Sequence, residues 1–141
     1  GRVFLAQLTD AELDAIYPED SFVPLTKCTI LSKSALRSRL AMVKKTGVAV
    51  NCEETHEGVE SIAALIRERS GANAAAIAIA APIFRLDDGI RQRLSTMTKL
   101  SASLVSRRLG YRGVDGDIST IDELASWWRQ NSASPDVVGG R

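Results

Sequence analysis

The chain has 141 residues, 45% hydrophobic and 25% charged, enough for one domain with a real core and unlike a solenoid or a disordered segment. Its 18 basic and 17 acidic residues leave a net charge of +1, without the basic excess expected of a dedicated nucleic-acid-binding domain. The basic doublets Lys44-Lys45 and Arg107-Arg108 fall near the ends of predicted helices, where a cation suits the helix dipole.

In chain order, Arg2 to Leu8 is a short, mostly apolar run, and Thr9-Asp10-Ala11-Glu12 has the form of a capping box. Leu13, Ile16 and Tyr17 follow on one helical face until Pro18 stops the helix. Ser21 to Leu31 reads as a loop carrying Thr26 and Thr29. A second helix starts near Ser32 or Ser34, buries Leu36, Leu40 and Val43, and ends at Gly47. Val48 to Val50 is a short strand, Asn51 to Gly58 a polar, acidic loop, and Val59 to Ile66 an apolar run. Ala74 to Ala81 is a strand that forms a hairpin with that run across the turn at Arg67 to Gly71. The strongest helix runs from Gly89 to Leu109, with Ile90, Leu94, Met97, Leu104 and Leu109 on its buried side and Gly110 as its terminator. Tyr111 to Ser119 is a Gly/Asp-rich loop, and Thr120 to Glu123 is a second capping box. It opens a last helix with Leu124, Trp127 and Trp128, followed by a loose tail from Ser132. The class is α+β: an antiparallel sheet with helices packed on it, and no internal repeat.

Two cysteines, Cys28 and Cys52, are too few for a disulfide scaffold, so a reducing compartment is the default, with a Cys28–Cys52 bridge left open. No signal peptide opens the chain, and the apolar stretch from Ala72 to Ile83 is too short for a membrane span and broken by Asn73 and Pro82. A soluble, cytoplasmic protein is expected. The start at Gly1, without an initiator methionine, suggests a fragment of a longer protein, although processing or an expression boundary would look the same.

Six segments in order resemble one family. Gly1-Arg-Val-Phe-Leu-Ala-Gln-Leu8 is similar to a Gly-Lys-Ala-(Leu/Met)-Leu-Ala segment, and Leu25 to Ile30 to Leu-Thr-x-x-Thr-Ile. Gly47 to Glu54 is similar to Gly-Tyr-Ala-x-Asp-x-Glu-Glu, and Gly58 to Ala64 to Gly-Val-x-Cys-Ile-Ala-Ala. Ala75 to Arg85 is similar to Ala-Ala-Ile-Ser-Ile-Ser-Gly-Pro-x-x-Arg, and Leu104 to Gly110 to a closing Ile-Ser-x-x-Leu-Gly. Together they resemble the effector domain of the IclR (isocitrate lyase regulator) family of bacterial transcription factors. The resemblance implies a GAF-like effector-binding domain over residues 1–110, lacking N-terminal strands that precede this region in the family. It leaves residues 111–141 as a C-terminal extension with a short helix and a flexible tail. It implies a small organic effector, aromatic or carboxylic, and self-association to a dimer or tetramer. DNA contact is implied only through a winged helix-turn-helix domain absent from this chain, in regulators that repress or activate operons.

Carried over by position, the resemblance makes Gly1, Asn51, Ser61, Ala78 and Ala80 the effector-binding residues. Asn51 stands where the family usually has a carboxylate, and Ala78 and Ala80 stand where it has serines, which points to a more apolar or altered effector, or to a pocket that no longer binds one. Ala78 and Ala80, two apart, share a strand face, and their small side chains either leave room for a ligand or admit the long helix.

Other chemistries are weaker. Cys28, Cys52, Glu53, Glu54 and His56 lack the paired spacing of a zinc site. Cys52 and His56 lie four apart with no third orienting residue, and Glu53 and Glu54 are adjacent, so in an extended chain they point apart. No Walker A, Rossmann or Gly-x-Ser-x-Gly motif occurs. No catalytic residue, metal or cofactor is expected, and a small hydrolase is the weakest alternative. A ligand-free dimerisation module, built on the long helix and on Trp127 and Trp128, is the stronger one.

Overall fold

The structure is a computed structural model that describes residues 1–113 and 118–132. Among them the elements run α1 (Arg2–Leu5), α2 (Asp10–Ile16), α3 (Lys33–Thr46), β1 (Val48–Cys52), β2 (Val59–Arg67), β3 (Asn73–Pro82), a 3-10 turn (Ile83–Arg85), α4 (Asp88–Arg108) and α5 (Ile121–Ser132). The strands form an antiparallel three-stranded sheet in the order β1-β2-β3. The class is the expected α+β. The tail beyond Ser132 and the middle of the Tyr111–Ser119 loop lie outside the described residues.

The helices begin where side chains satisfy their first amides. Thr9 and Glu12 form the expected reciprocal box on α2, and Ser32 and Asp87 cap α3 and α4. The Thr120 amide donates to the Glu123 carboxylate at 3.0 Å and the Glu123 amide to the Thr120 hydroxyl at 3.1 Å. α3 ends at Gly47 with φ +78°, a left-handed conformation in which a Cβ would be strained. Lys33, buried at the start of α3, ties α2 to the turn that follows it by pairing with Asp14 at 3.1 Å and Asp20 at 3.4 Å.

β2 alternates, and the alternation separates two cores. One face carries Glu60, Ile62, Ala64 and Ile66, all buried; Ala64 and Ile66 cluster with Ala102 of α4, flanked by Val48 and Ile77. The other face carries Ser61, Ala63 and Leu65; Ala63 and Leu65 pack with Ala49 against Val3 and Ala6 of α1, Leu13 of α2, and Leu36, Leu40 and Val43 of α3. Full burial of one side chain the size of Ile62 contributes about 1.5–3 kcal/mol.

The buried side of α4 differs from the expected stripe. Leu104 is buried, but Ile90, Leu94 and Met97 are half-buried and Leu109 is 47% exposed. Thr98, Ala102 and Ser106 complete the buried set. These residues meet the sheet because they are small and their hydroxyls are satisfied locally. Thr98 donates to the Leu94 carbonyl at 2.7 Å, while Ser106 donates to the Ala102 carbonyl at 2.8 Å and accepts from the Arg67 amide at 2.9 Å. Nor do Ala78 and Ala80 admit this helix: α4 packs with Ile77 on the opposite face, and the two alanines are exposed. The outer edge of β3 has no partner strand among the described residues.

This assignment of faces predicts a contrast. Ala102→Leu should overpack the α4 contact and cost about 1–3 kcal/mol in urea unfolding, whereas Ala78→Leu should stay within about 0.5 kcal/mol of the parent.

Candidate functional site

On the Ser61 face lies a cleft of about 400 Å³. Its floor is Ala49 and Asn51 of β1 with Ser61 and Ala63 of β2, and Gly1, Arg2 and Leu5 form one wall. The opposite wall comes from the irregular segment between α2 and α3: Tyr17, Phe22, Leu25, Thr29 and Ile30, backed by Leu36. Tyr17 and Phe22 meet edge to face, their ring centres 5.3 Å apart, which stiffens that wall. A Cβ added to Gly1 would meet nothing within 4 Å, so the space before it is open.

The aromatic segment is held by two threonines rather than by regular structure. The Thr29 hydroxyl accepts from the Leu25 and Thr26 amides at 3.0 and 2.9 Å. The Thr26 hydroxyl donates to the Glu53 carbonyl at 2.6 Å, and Thr29 donates to the Glu54 carbonyl at 2.7 Å. The wall is thereby tied to the loop that follows β1. Glu53 in that loop has φ +57°, unusual for a residue with a side chain, and its carboxylate accepts from the Gly58 amide at 2.7 Å. At the rim Arg2 pairs with Glu54 and donates from Nη1 to the Val50 carbonyl at 2.9 Å, bolting α1 to β1 and the loop.

Of the five residues expected to bind an effector, the cleft brings together Gly1, Asn51 and Ser61. Ala78 and Ala80 do not line it. They stand on the same sheet face, opposite Ala63 and Ser61 on the next strand, where they extend the floor outward. Asn51 is already engaged: its Oδ1 accepts from the Glu54 amide at 3.0 Å and its Nδ2 donates to the Thr55 hydroxyl at 3.4 Å. The aromatic wall and the Arg2–Glu54 pair were not anticipated, because Tyr17 and Phe22 flank a segment without periodicity.

A family model described as Bacterial transcriptional regulator IclR C-terminal matches residues 1–107. The chain belongs to the IclR family. It is 30% identical over 111 residues to the HTH-type transcriptional regulator XynR of Escherichia coli, covering 79% of this chain and 44% of that protein. The repressor BlcR of Agobacterium tumefaciens superposes with a TM-score of 0.74 at 29% identity, over 79% of this chain and 45% of that one. The C-terminal domain of the E. coli regulator KdgR superposes with a TM-score of 0.70 at 29% identity, over 78% of this chain and 67% of that one. The chain thus spans under half the length of XynR and BlcR, and within the family it corresponds to the C-terminal domain.

The residues considered for metal or nucleophilic chemistry do not converge on the cleft of this IclR-family domain. Among the described residues no three His, Cys, Asp or Glu side chains are placed to hold a metal ion. Alternation along β1 turns Cys52 to the α4 side of the sheet, opposite Glu60 in register. There Glu60 is buried and accepts from Arg91 Nε at 3.1 Å. Desolvation pushes the Cys52 thiol up, and the Glu60 carboxylate pushes it further in the same direction. A raised thiol is protonated and a poor nucleophile near neutral pH.

Alkylation of Cys52 by iodoacetamide, followed against pH in a Cys28→Ser background, should therefore show a midpoint above the ordinary thiol value of about 8.5. Glu60→Gln, with folding checked by circular dichroism, should move that midpoint down by removing the negative neighbour.

Proposed function

We propose that this IclR-family domain senses a small organic molecule in the cleft between α1, the Tyr17–Ile30 wall and the β1–β2 floor. The observation that supports this is the cleft itself: a mostly apolar concavity of about 400 Å³ with few polar groups, the usual character of a small-molecule site. The ligand class follows from which polar groups are free. Arg2 and Glu54 neutralise each other, and Asn51 and Thr29 serve the loop. The Ser61 and Tyr17 hydroxyls are left to serve a ligand. Such a site favours an aromatic or otherwise apolar body with one or two hydrogen-bonding groups, and a carboxylate would have to draw Arg2 away from Glu54.

Sensing requires that the ligand bind two conformations unequally. The wall and the Glu53–Gly58 loop share the Thr26 and Thr29 hydrogen bonds, so a ligand wedged between wall and floor bears on both. In the whole regulator we propose that this bias passes through self-association to a winged helix-turn-helix domain and alters operator affinity. Such a regulator works in the cytoplasm, and among the described residues no helix is long and apolar enough to cross a membrane.

The test is a thermal-shift screen with phenols and other neutral aromatic alcohols, set beside aromatic acids, short keto- and hydroxy-acids and sugar acids. A ligand at about 100 times its Kd should raise Tm by roughly 5–10 °C. Ser61→Trp should abolish the shift, and Ala78→Trp reports how far the ligand reaches along the sheet. No shift with any compound, in a sample shown to be folded, would count against sensing and in favour of an assembly module.

A further inference from the structure

We infer that the edge of β1, which has no partner strand among the described residues, carries a second binding site, for a small organic dianion. A cleft of about 410 Å³ lies there, between α3 and α4. It is separate from the Ser61 cleft and shares only Arg2 and Val50 with it. The inference does not depend on the proposed effector site.

Helical spacing builds the two walls. Arg39, Met42, Val43 and Thr46 recur on one face of α3, and Gln92, Ser95, Thr96 and Lys99 on one face of α4, both at i, i+3, i+4, i+7. Val48 and Val50 supply an apolar floor, and Met42 is 56% exposed and Val50 40%.

The charge in this cleft is one-sided. Arg2, Arg39 and Lys99 line it, and no carboxylate does, in a chain whose formal charge is only +1. Arg2 is occupied by Glu54 and the Val50 carbonyl. Arg39, Lys99, Gln92 and Ser95 have no side-chain hydrogen bond or ion pair among the described residues, whereas the Thr46 and Thr96 hydroxyls are satisfied by their own helices. Lys99 lies along the C-terminus of α3, with Nζ 3.8 Å from where a Cβ on Gly47 would sit. Two cations and two neutral donors therefore border one concavity. A guanidinium fork on the α3 wall and an ammonium on the α4 wall suit the oxygens of a phosphate ester or a dicarboxylate spanning the cleft, while the valines accept a short carbon body.

The strand edge itself argues against another strand as the occupant. The Val50 carbonyl already accepts from Arg2 and the Val48 amide donates to the Thr46 hydroxyl at 3.4 Å, so side chains already use part of this edge.

The experiment is a titration of the isotopically labelled 141-residue chain with glycerol 3-phosphate and, separately, with succinate, followed by amide chemical shifts and calorimetry. Saturable binding of either, with shifts at Thr46, Gly47, Gln92 and Lys99 and none at Ser61, is expected, and the one that binds tells phosphate ester from dicarboxylate. Arg39→Gln, an exposed substitution, should weaken binding about tenfold or more, and binding should fall as ionic strength rises. Lys99→Arg should retain binding where Lys99→Gln loses it. Absence of binding by both anions, shifts confined to the Ser61 cleft, or full affinity in Arg39→Gln would each overturn the assignment. Loss of self-association in Arg39→Gln, without anion binding, would instead mark the face as a contact between copies of the chain.

Discussion

Everything in this domain is placed by the alternation of β2, the strand hydrogen-bonded on both edges. Its even-numbered residues from Glu60 to Ile66 face α4, and its odd-numbered residues from Ser61 to Leu65 face α1, α3 and the cleft. A slip of one residue would exchange the faces, sending Ile62 to the cleft and Ser61 under the helix. Glu60 reinforces the choice. It is buried, and Arg91 on α4 supplies its ion pair, so a misplaced strand would bury a charge without a partner. Removing one partner of such a pair is far costlier than the pair is stabilising. The register of the sheet and the seating of α4 are thus specified by the same interaction.

The cleft on the other face is held in shape by polar groups whose hydrogen bonds go to the protein itself. Thr26 and Thr29 bond to backbone carbonyls of the β1–β2 loop, Asn51 accepts a loop amide, and Glu53 holds Gly58. Most polar atoms near the rim therefore fix the shape of the cleft, and in the proposed sensing role recognition falls to that shape and to its apolar walls. The left-handed conformation of Glu53 fits this view. A strained residue persists where its surroundings over-determine it, and here its carbonyl, its carboxylate and its amide are all engaged.

Much of the fold was legible because the relevant signals are local. Thr9–Glu12 and Thr120–Glu123 satisfy their helix ends as their spacing implies, Gly47 ends α3, and the two apolar runs flanking Gly71 pair as a hairpin. The buried side of α4 was only partly legible. Counting large apolar residues finds Leu104 but not Thr98 or Ser106, whose hydroxyls fold back on their own helix and so behave as small apolar groups. Ala78 and Ala80 were placed correctly on one strand face, but which face depends on where α4 docks. That is a long-range fact, and no local pattern carries it.

The same distinction separates what the sequence says about the two clefts. Gly1, Asn51 and Ser61 could be named through family resemblance, yet the wall opposite them could not, since the segment holding Phe22 and Leu25 follows neither a helical nor a strand period. The cationic cleft was hidden for another reason. Sequence reading favours adjacent charges such as Lys44-Lys45, but neighbours on a helix point about 100° apart and cannot converge on one ligand. Arg39 and Lys99 are distant in sequence and are brought to one cleft because β1 sits between the helices that carry them. Charge density along a chain and charge convergence in space are different quantities, and a ligand responds to the second.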